Sequence, residues 1–335
     1  MGKPVIGSVL ITGITGFVGS HLADYILKEH PGVEISGLLR WRSPRDNILH
    51  LMDRVDLLYG DLLDLPSLNR ILQNKRPGVI FHLAAQSYVD FSFAAPVSTL
   101  ETNVIGTANL LEAVRQLKDA GGYDPVVHIC SSSEVYGQVL EQEIPIKEDQ
   151  PMRPASPYAV SKVGEDMLAW QYWLSWKIKT IRTRMFTHTG PRRGDVFALS
   201  NFAKQVAAIE AGRQEPVIRV GNLNSIRTFT DVRDAVRAYW LLVTRCPPGE
   251  VYNIGGVETM TIGEMLQRLL ALSRVTGIKV QVDPARLRPS DVTLQIPSVD
   301  KFKDATGWEP AIPFRQTMED TLNYWRDYHN QVKNI

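Results

Sequence analysis

Tyr158 and Lys162 are the residues whose types and spacing most suggest chemistry. They lie in Ser156-Pro157-Tyr158-Ala159-Val160-Ser161-Lys162. Ser156 can cap a helix, and Pro157 suits its first position. On that helix Tyr158 and Lys162 share one face, about a turn apart. A free tyrosine titrates near pH ~10, too high for proton exchange at neutral pH, and a neighbouring ammonium lowers that value. Such a pair can transfer a proton to or from a bound molecule. The alternative is a surface helix that happens to carry both residues.

A reacting group must be brought to that pair, and the start of the chain offers a way. Val5 to Thr12 reads as a buried strand running into Gly13-Ile14-Thr15-Gly16-Phe17-Val18-Gly19. An apolar helical pattern follows at Leu22, Ala23, Ile26 and Leu27. Strand, glycine turn and helix together let backbone amides and a helix N-terminus hold a pyrophosphate. A second strand, Glu34 to Leu39, ends in Arg40-Trp41-Arg42-Ser43. An acid there would hold the ribose 2′-hydroxyl of NAD, and none is present. Arg40, Arg42 and Ser43 suit a 2′-phosphate instead, which points to NADP(H).

The elements that must position these residues alternate. Strands are expected at Asp56 to Tyr59, Val79 to Leu83, Val126 to Cys130 and Lys179 to Arg184, with helices near 102–118 and 157–176. Alternation of this kind predicts an α/β fold: a doubly wound parallel sheet with a smaller C-terminal α/β lobe. Residues 1–185 are read as the dinucleotide-binding domain, with later contributions near 225–255, and residues 186–335 mainly as the substrate lobe. That lobe is expected to mix helices near 197–211, 231–243, 261–274 and 314–328 with strands near 216–220, 250–254 and 278–282. Glu141 to Pro154, rich in charge and proline, reads as a loop over the site. Arg219, Arg227, Arg286 and Arg288 suit a diphosphate-bearing ligand.

Composition narrows the class. The chain has 335 residues and a net charge of +1, so no global field argues for nucleic acid or an anionic membrane. No apolar run approaches the ~18 residues of a membrane span, and the opening residues lack signal-peptide anatomy. Cys130 and Cys246 form no CxxC pair, and the histidines lack metal-ligand spacing, so no metal is expected. A cytoplasmic enzyme or binding protein fits.

Gly13/Gly16/Gly19, Gly60-Asp61-Leu62, Leu83-Ala84-Ala85, Ser132 and the Tyr158/Lys162 pair together resemble the extended short-chain dehydrogenase/reductase family. The likeness covers nearly the whole chain. Ala85-Gln86-Ser87, Ser132-Ser133-Glu134 and Pro191-Arg192-Arg193-Gly194 resemble the branch that dehydrates GDP-mannose. The downstream half is more similar to the branch that reduces GDP-4-keto-6-deoxy-D-mannose. That likeness lies in Phe202 to Gln205, Val220 to Leu223, Arg227 to Asp234, Ala238 to Leu242, Arg288-Pro289-Ser290 and Thr306-Gly307-Trp308. Arg227-Thr228-Phe229-Thr230 stands where dehydratases usually have Arg-Asp-Trp-Gly, and Asn201 where they usually have lysine. Thr187 precedes His188 where the family commonly has asparagine.

The resemblance implies roles. NADPH would deliver hydride to a C4 ketone, Tyr158 would protonate the alkoxide, Ser132 would bond the same oxygen and Lys162 would hold the nicotinamide ribose. Gly13, Thr15, Gly16, Phe17, Val18 and Gly19 would cradle the pyrophosphate, and Asp61 and Leu62 would flank the adenine. Leu83, Ala84, Ala85 and His188 would complete the cofactor site. Ser87, Ser132, Ser133, Glu134, Thr187, Asn201, Gly221, Arg227, Arg288 and Asp291 would line a GDP-sugar. In a dehydratase Glu134 would also remove the C5 proton. A non-catalytic nucleotide sensor of the same fold would be expected to lose part of the Ser–Tyr–Lys set, which is intact here. In this family the helices at 102–118 and 157–176 flank the sheet on one side. The second carries Met167, Leu168, Trp170, Tyr172, Trp173 and Trp176, so a four-helix homodimer is expected.

Overall fold

The apolar run before the glycine turn becomes β1 (Ser8–Thr12), inside a seven-stranded sheet. The computed structural model describes residues 6–287 and 290–331; Val5 lies outside the described residues. The chain then lays down β2 (Glu34–Leu39), β3 (Asp56–Tyr59), β4 (Val79–His82), β5 (Val126–Ser132) and β6 (Lys179–Met185). β7 (His188–Thr189), β8 (Val217–Val220) and β9 (Ile226–Asp231) leave the sheet, and β10 (Val251–Ile254) returns to its edge. The order is β10-β6-β5-β4-β1-β2-β3, all parallel. Chain direction across the sheet reverses between β1 and β4, where open α/β sheets hold their ligands.

The strands are short apolar runs because helices cover both faces. Helices Phe17–Glu29 and Val232–Arg245 bury Leu22, Ile26, Val236 and Tyr239 on one face. Leu65–Lys75, Gly106–Gly121 and Pro157–Trp176 bury Leu68, Leu110 and Ala169 on the other. A third core, around Phe202, Ile218, Met265, Leu266 and Leu322, holds the C-terminal lobe together. There β9 carries β7, β11 (Glu258–Thr261) and β13 (Leu294–Gln295), while β12 (Lys279–Val282) pairs with β8.

Two glycines shape the first turn. Gly13 has φ +72, and a Cβ on it would lie 2.9 Å from the Ala84 Cα. A Cβ on Gly19 would lie 2.3 Å from the Gly13 carbonyl oxygen, so only glycine lets the helix start this close to β1.

The helix expected at 157–176 spans Pro157–Trp176, with the Ser156 hydroxyl accepting from the Ala159 amide at 3.0 Å. Buried Asp166 ties it to β6, bonding Arg182 at 3.0 Å and Arg184 at 2.9 Å. The helix expected at 102–118 begins earlier. Pro96–Leu100 is α-helical, Glu101–Ile105 widens into a π turn, and Gly106–Gly121 continues. Asn103 explains the widening: its side chain turns inward to bond the Gln86 backbone and Ser161 instead of facing solvent. The loop 141–154 is not over the site. Ile146 is buried beside Val135, Tyr136 and Phe186, and it bridges to Pro297. Its apolar side chain draws the segment against the sheet end, and no residue of the loop lines the cavity. No helix among the described residues is long and apolar enough to cross a membrane.

Candidate active site

β5 ends at Ser132, and the helix beginning at Pro157 starts beside it, so Ser132 and Tyr158 meet where the sheet opens. The Ser132 hydroxyl lies close enough to the Tyr158 phenol to act on its titration, and it accepts from the Glu134 amide at 3.2 Å. Burial pushes that phenol above its ordinary value, and Lys162 with Ser132 pulls it back only in part. The expected lowering by Lys162 is thus outweighed by loss of water around the ring. Lys162 Nζ donates to the Cys130 carbonyl and to Glu165, each at 2.9 Å. Burial works to lower its pKa, but Glu165 foremost holds it above the usual lysine value.

A cavity of about 670 Å³ opens beside Tyr158. Ser87, Ser132, Ser133, Glu134, Thr187, His188, Asn201, Gly221, Arg227 and Asp291 line it. Ser133 donates to Gln295 Oε1 at 2.9 Å, and Gln295 Nε2 reaches Glu134 Oε1 at 3.4 Å. Asn201 accepts from Arg286 at 2.9 Å. A Cβ on Gly221 would lie 2.6 Å from the Arg286 carbonyl oxygen. Arg227 bonds the Val292 carbonyl and sits 3.8 Å from Asp291, whose carboxylate also takes Asn222 and Ser225. Of the four arginines expected at a diphosphate, Arg227 and Arg286 line the cavity. Arg219 is exposed on β8 and does not, and Arg288 lies outside the described residues.

The residues read as cofactor-binding form an adjoining group. The helix after Gly16 has no side-chain cap and no acid in its first turn, leaving its amides open to an anion. Thr15, Phe17 and Val18 are half-buried around that turn, and Ala85 is half-buried nearby. The amides of Leu83 and Ala84 both donate to Thr12 Oγ1 at 3.1 Å, holding β4 close to Gly13. Asp61 caps its own turn at Leu63, and Leu62 packs under Gly106. Arg40 and Arg42 are exposed, with Ser43 Oγ accepting from the Arg40 amide at 3.2 Å. Asn47 bonds the Thr15 carbonyl at 3.1 Å and ties this loop to the glycine turn.

His188 and Arg193 stand between the two groups. His188 stacks on Phe17 at 5.8 Å, and its buried Nε2 has no hydrogen-bond partner among the described residues. Burial, then the Arg193 charge, pushes His188 down to about 3, so its ring is neutral. The Arg193 guanidinium lies 3.7 Å from the Phe197 ring centroid and 5.0 Å from that of Phe17. It pairs with no carboxylate among the described residues, and burial lowers its pKa to about 10. The Arg193 guanidinium, half-buried at the cavity wall and packed on Phe17 of the glycine turn, fits an anionic dinucleotide. Sequence reasoning quoted the Arg192-Arg193 pair without giving Arg193 a role. Arg192 is spent on Asp24 and His21, which frees the next residue to face the site. Gln295 was missed altogether: it sits on a two-residue strand with no local signal.

The family profile described as GDP-mannose 4,6 dehydratase matches residues 10–321. GDP-6-deoxy-D-mannose reductase of Pseudomonas aeruginosa is 34% identical over 317 residues, covering 95% of this chain and 96% of that one. A GDP-mannose 4,6-dehydratase of Vibrio cholerae is 33% identical over 357 residues, covering 93% and 92%. Among solved structures, RMD from Pseudomonas aeruginosa complexed with NADPH superposes with a TM-score of 0.82 at 31% identity, covering 96% of this chain and 99% of that one. UDP-glucose 4-epimerase from Thermotoga maritima with UDP-glucose gives 0.85 at 25% identity, with coverage of 96% and 99%. With the profile spanning almost its whole length and such relatives aligned end to end, this chain belongs to the GDP-mannose 4,6-dehydratase family.

Proposed function

We propose that this protein reduces the C4 ketone of GDP-4-keto-6-deoxy-D-mannose with NADPH, giving a GDP-6-deoxyhexose of the GDP-D-rhamnose type. Tyr158 carries the reading: a buried phenol at the cavity wall, beside Ser132 and shifted toward its protonated form. Carbonyl reduction needs such a donor, because the alkoxide forming at C4 must take a proton. NADPH, when bound, supplies the hydride. Ser132 bonds the same oxygen as it gains charge. The glycine-turn amides with Arg193 hold the pyrophosphate, and Arg40, Arg42 and Ser43 take the 2′-phosphate. Lys162 faces the nicotinamide ribose, while Asp61 and Leu62 flank the adenine. Residues 1–185, with 225–255, form the cofactor domain in this reading, and the remainder carries the sugar nucleotide. The reductase among the relatives and the NADPH-bound structural neighbour support it.

Glu134 favours a second reading, the 4,6-dehydratase. It lines the same cavity, where a carboxylate can abstract the C5 proton after C4 oxidation. Mass spectrometry separates the two. One reaction offers GDP-mannose with NADP, the other GDP-4-keto-6-deoxymannose with NADPH. Conversion only in the second supports the reductase. Conversion of GDP-mannose without NADPH, abolished by Glu134→Gln, overturns it.

A cytoplasmic homodimer completes the proposal. Met167, Trp170, Leu174 and Trp176 are exposed on helix Pro157–Trp176, beside exposed Val97, Leu100 and Ile105 of the neighbouring helices. Tyr172 and Trp173, counted toward the interface from sequence, turn inward; Trp173 packs on Gly249, and Leu168 is half-buried. The exposed apolar residues that remain are the surface this reading assigns to a second copy. Sedimentation of the protein at micromolar concentration as monomers alone overturns the dimer there.

A further inference from the structure

Glu165 is a buried carboxylate with no part in the scheme above. It stands three residues after Lys162 on the same helix, and its side chain is 1% exposed. One oxygen accepts from Lys162 Nζ at 2.9 Å, and the other is buried with no hydrogen-bond partner among the described residues. The second acceptor on Lys162 is the Cys130 carbonyl of β5, which fixes the ammonium from the opposite element. That ammonium lies 5.9 Å from the Tyr158 ring centroid.

We propose that Glu165 is a positioning residue: as counter-ion of Lys162 it fixes the ammonium and offsets its pull on Tyr158, keeping the phenol a proton donor into the alkaline range. The proposal rests on the reading of Tyr158 as that donor. An uncompensated ammonium within ~6 Å lowers a neighbouring acid by roughly one to three pH units. Paired with a carboxylate, the same ammonium presents a dipole, whose effect falls off faster with distance.

The other groups facing this cluster do not replace Glu165. Asp166, next on the helix, is held by Arg182 and Arg184 of β6. His82 of β4 is pushed down to about 3, chiefly by burial, so it is neutral. Burial keeps the Cys130 thiol of β5 and the Tyr239 phenol of helix Val232–Arg245 protonated. Arg193, from the cavity side, adds positive charge and makes an answering anion more necessary. Burial pushes Glu165 up to about 7, against the pull of Lys162, so above neutrality the carboxylate is ionised and the compensation is present.

The test is a tyrosinate ultraviolet titration of the NADPH-loaded protein, taking the transition that Tyr158→Phe removes. The alkaline limb of kcat/KM with GDP-4-keto-6-deoxymannose is read alongside. Glu165→Gln is expected to move both to lower pH by about one unit or more. Glu165→Asp, which keeps the charge, should restore most of the shift. An unmoved transition in Glu165→Gln beside an inactive Tyr158→Phe overturns the counter-ion role alone. Full turnover by Tyr158→Phe overturns the donor reading and, with it, this role. If Glu165→Gln does not fold, the unmodified protein decides: a Tyr158 transition below about pH 8 overturns the proposal, and one above it supports the proposal.

Discussion

The glycine turn and the cavity beside Tyr158 differ in where along the chain their parts originate. The turn is built from seven consecutive residues, Gly13 to Gly19, backed by β4 and the loop after β2. The cavity draws on the ends of β4 and β5, the loops after β6 and β7, helix Ala198–Glu210, and the strands β9 and β13. A ligand held by backbone amides needs a local conformation, which a short motif can specify. A ligand held by side chains from distant segments needs a tertiary core, here the cluster around Phe202, Ile218 and Leu266. Tyr158 sits where the two regions meet.

Single substitutions can break or sharpen that division. Tyr158→Phe removes the proposed donor at the junction and keeps the ring, so turnover should fall by about 10² to 10⁴. Affinity for NADPH and KM for the keto-sugar nucleotide should hardly move. Steady-state kinetics with cofactor titration checks this, and a large rise in either binding constant would assign Tyr158 to one region.

Arg40→Ala is expected to act on the proposed cofactor side alone. A charge-assisted contact to phosphate is worth roughly 1.5–3 kcal/mol, so NADPH should bind about ten- to a hundredfold more weakly. NADH binding and the KM of the sugar nucleotide should stay as they were. Fluorescence titration with both dinucleotides measures it. Equal affinity of the unmodified protein for NADPH and NADH would remove the basis for an NADP assignment.

Gln295→Leu acts on the other side and is the smallest effect expected. It takes one hydrogen-bond partner from Ser133 and one from Glu134. The expected cost is roughly 0.5–1.5 kcal/mol, seen as a rise of about tenfold or less in KM for the sugar nucleotide. NADPH affinity should be unchanged. A shift in NADPH affinity as large as that in KM would show that the two regions are coupled more tightly than their construction suggests.

What the sequence determined is largely local. The glycine turn, the capped helix from Pro157 to Trp176 and strands β2 and β3 were readable with their boundaries, because hydrophobic period, caps and glycines act within a few residues. The parallel sheet was legible from the alternation of elements. The early start of the helix leading to Gly121 was not, because Asn103 turns inward for partners at Gln86 and Ser161, far away in sequence. Strands β9 and β13 were missed because short pairings exist only once their partners are in place. The loop 141–154 read as a lid because its charges and prolines are visible, while the burial of Ile146 depends on Phe186 and Val135. Tertiary structure alone decided the electrostatics of the site. The Tyr–Lys spacing suggested a lowered phenol. Burial reverses that direction, and the carboxylate beside Lys162 turns out to be Glu165 rather than Asp166, because Arg182 and Arg184 of β6 take the latter. Desolvation and pairing depend on what packs around a group, and a one-dimensional pattern does not carry that information.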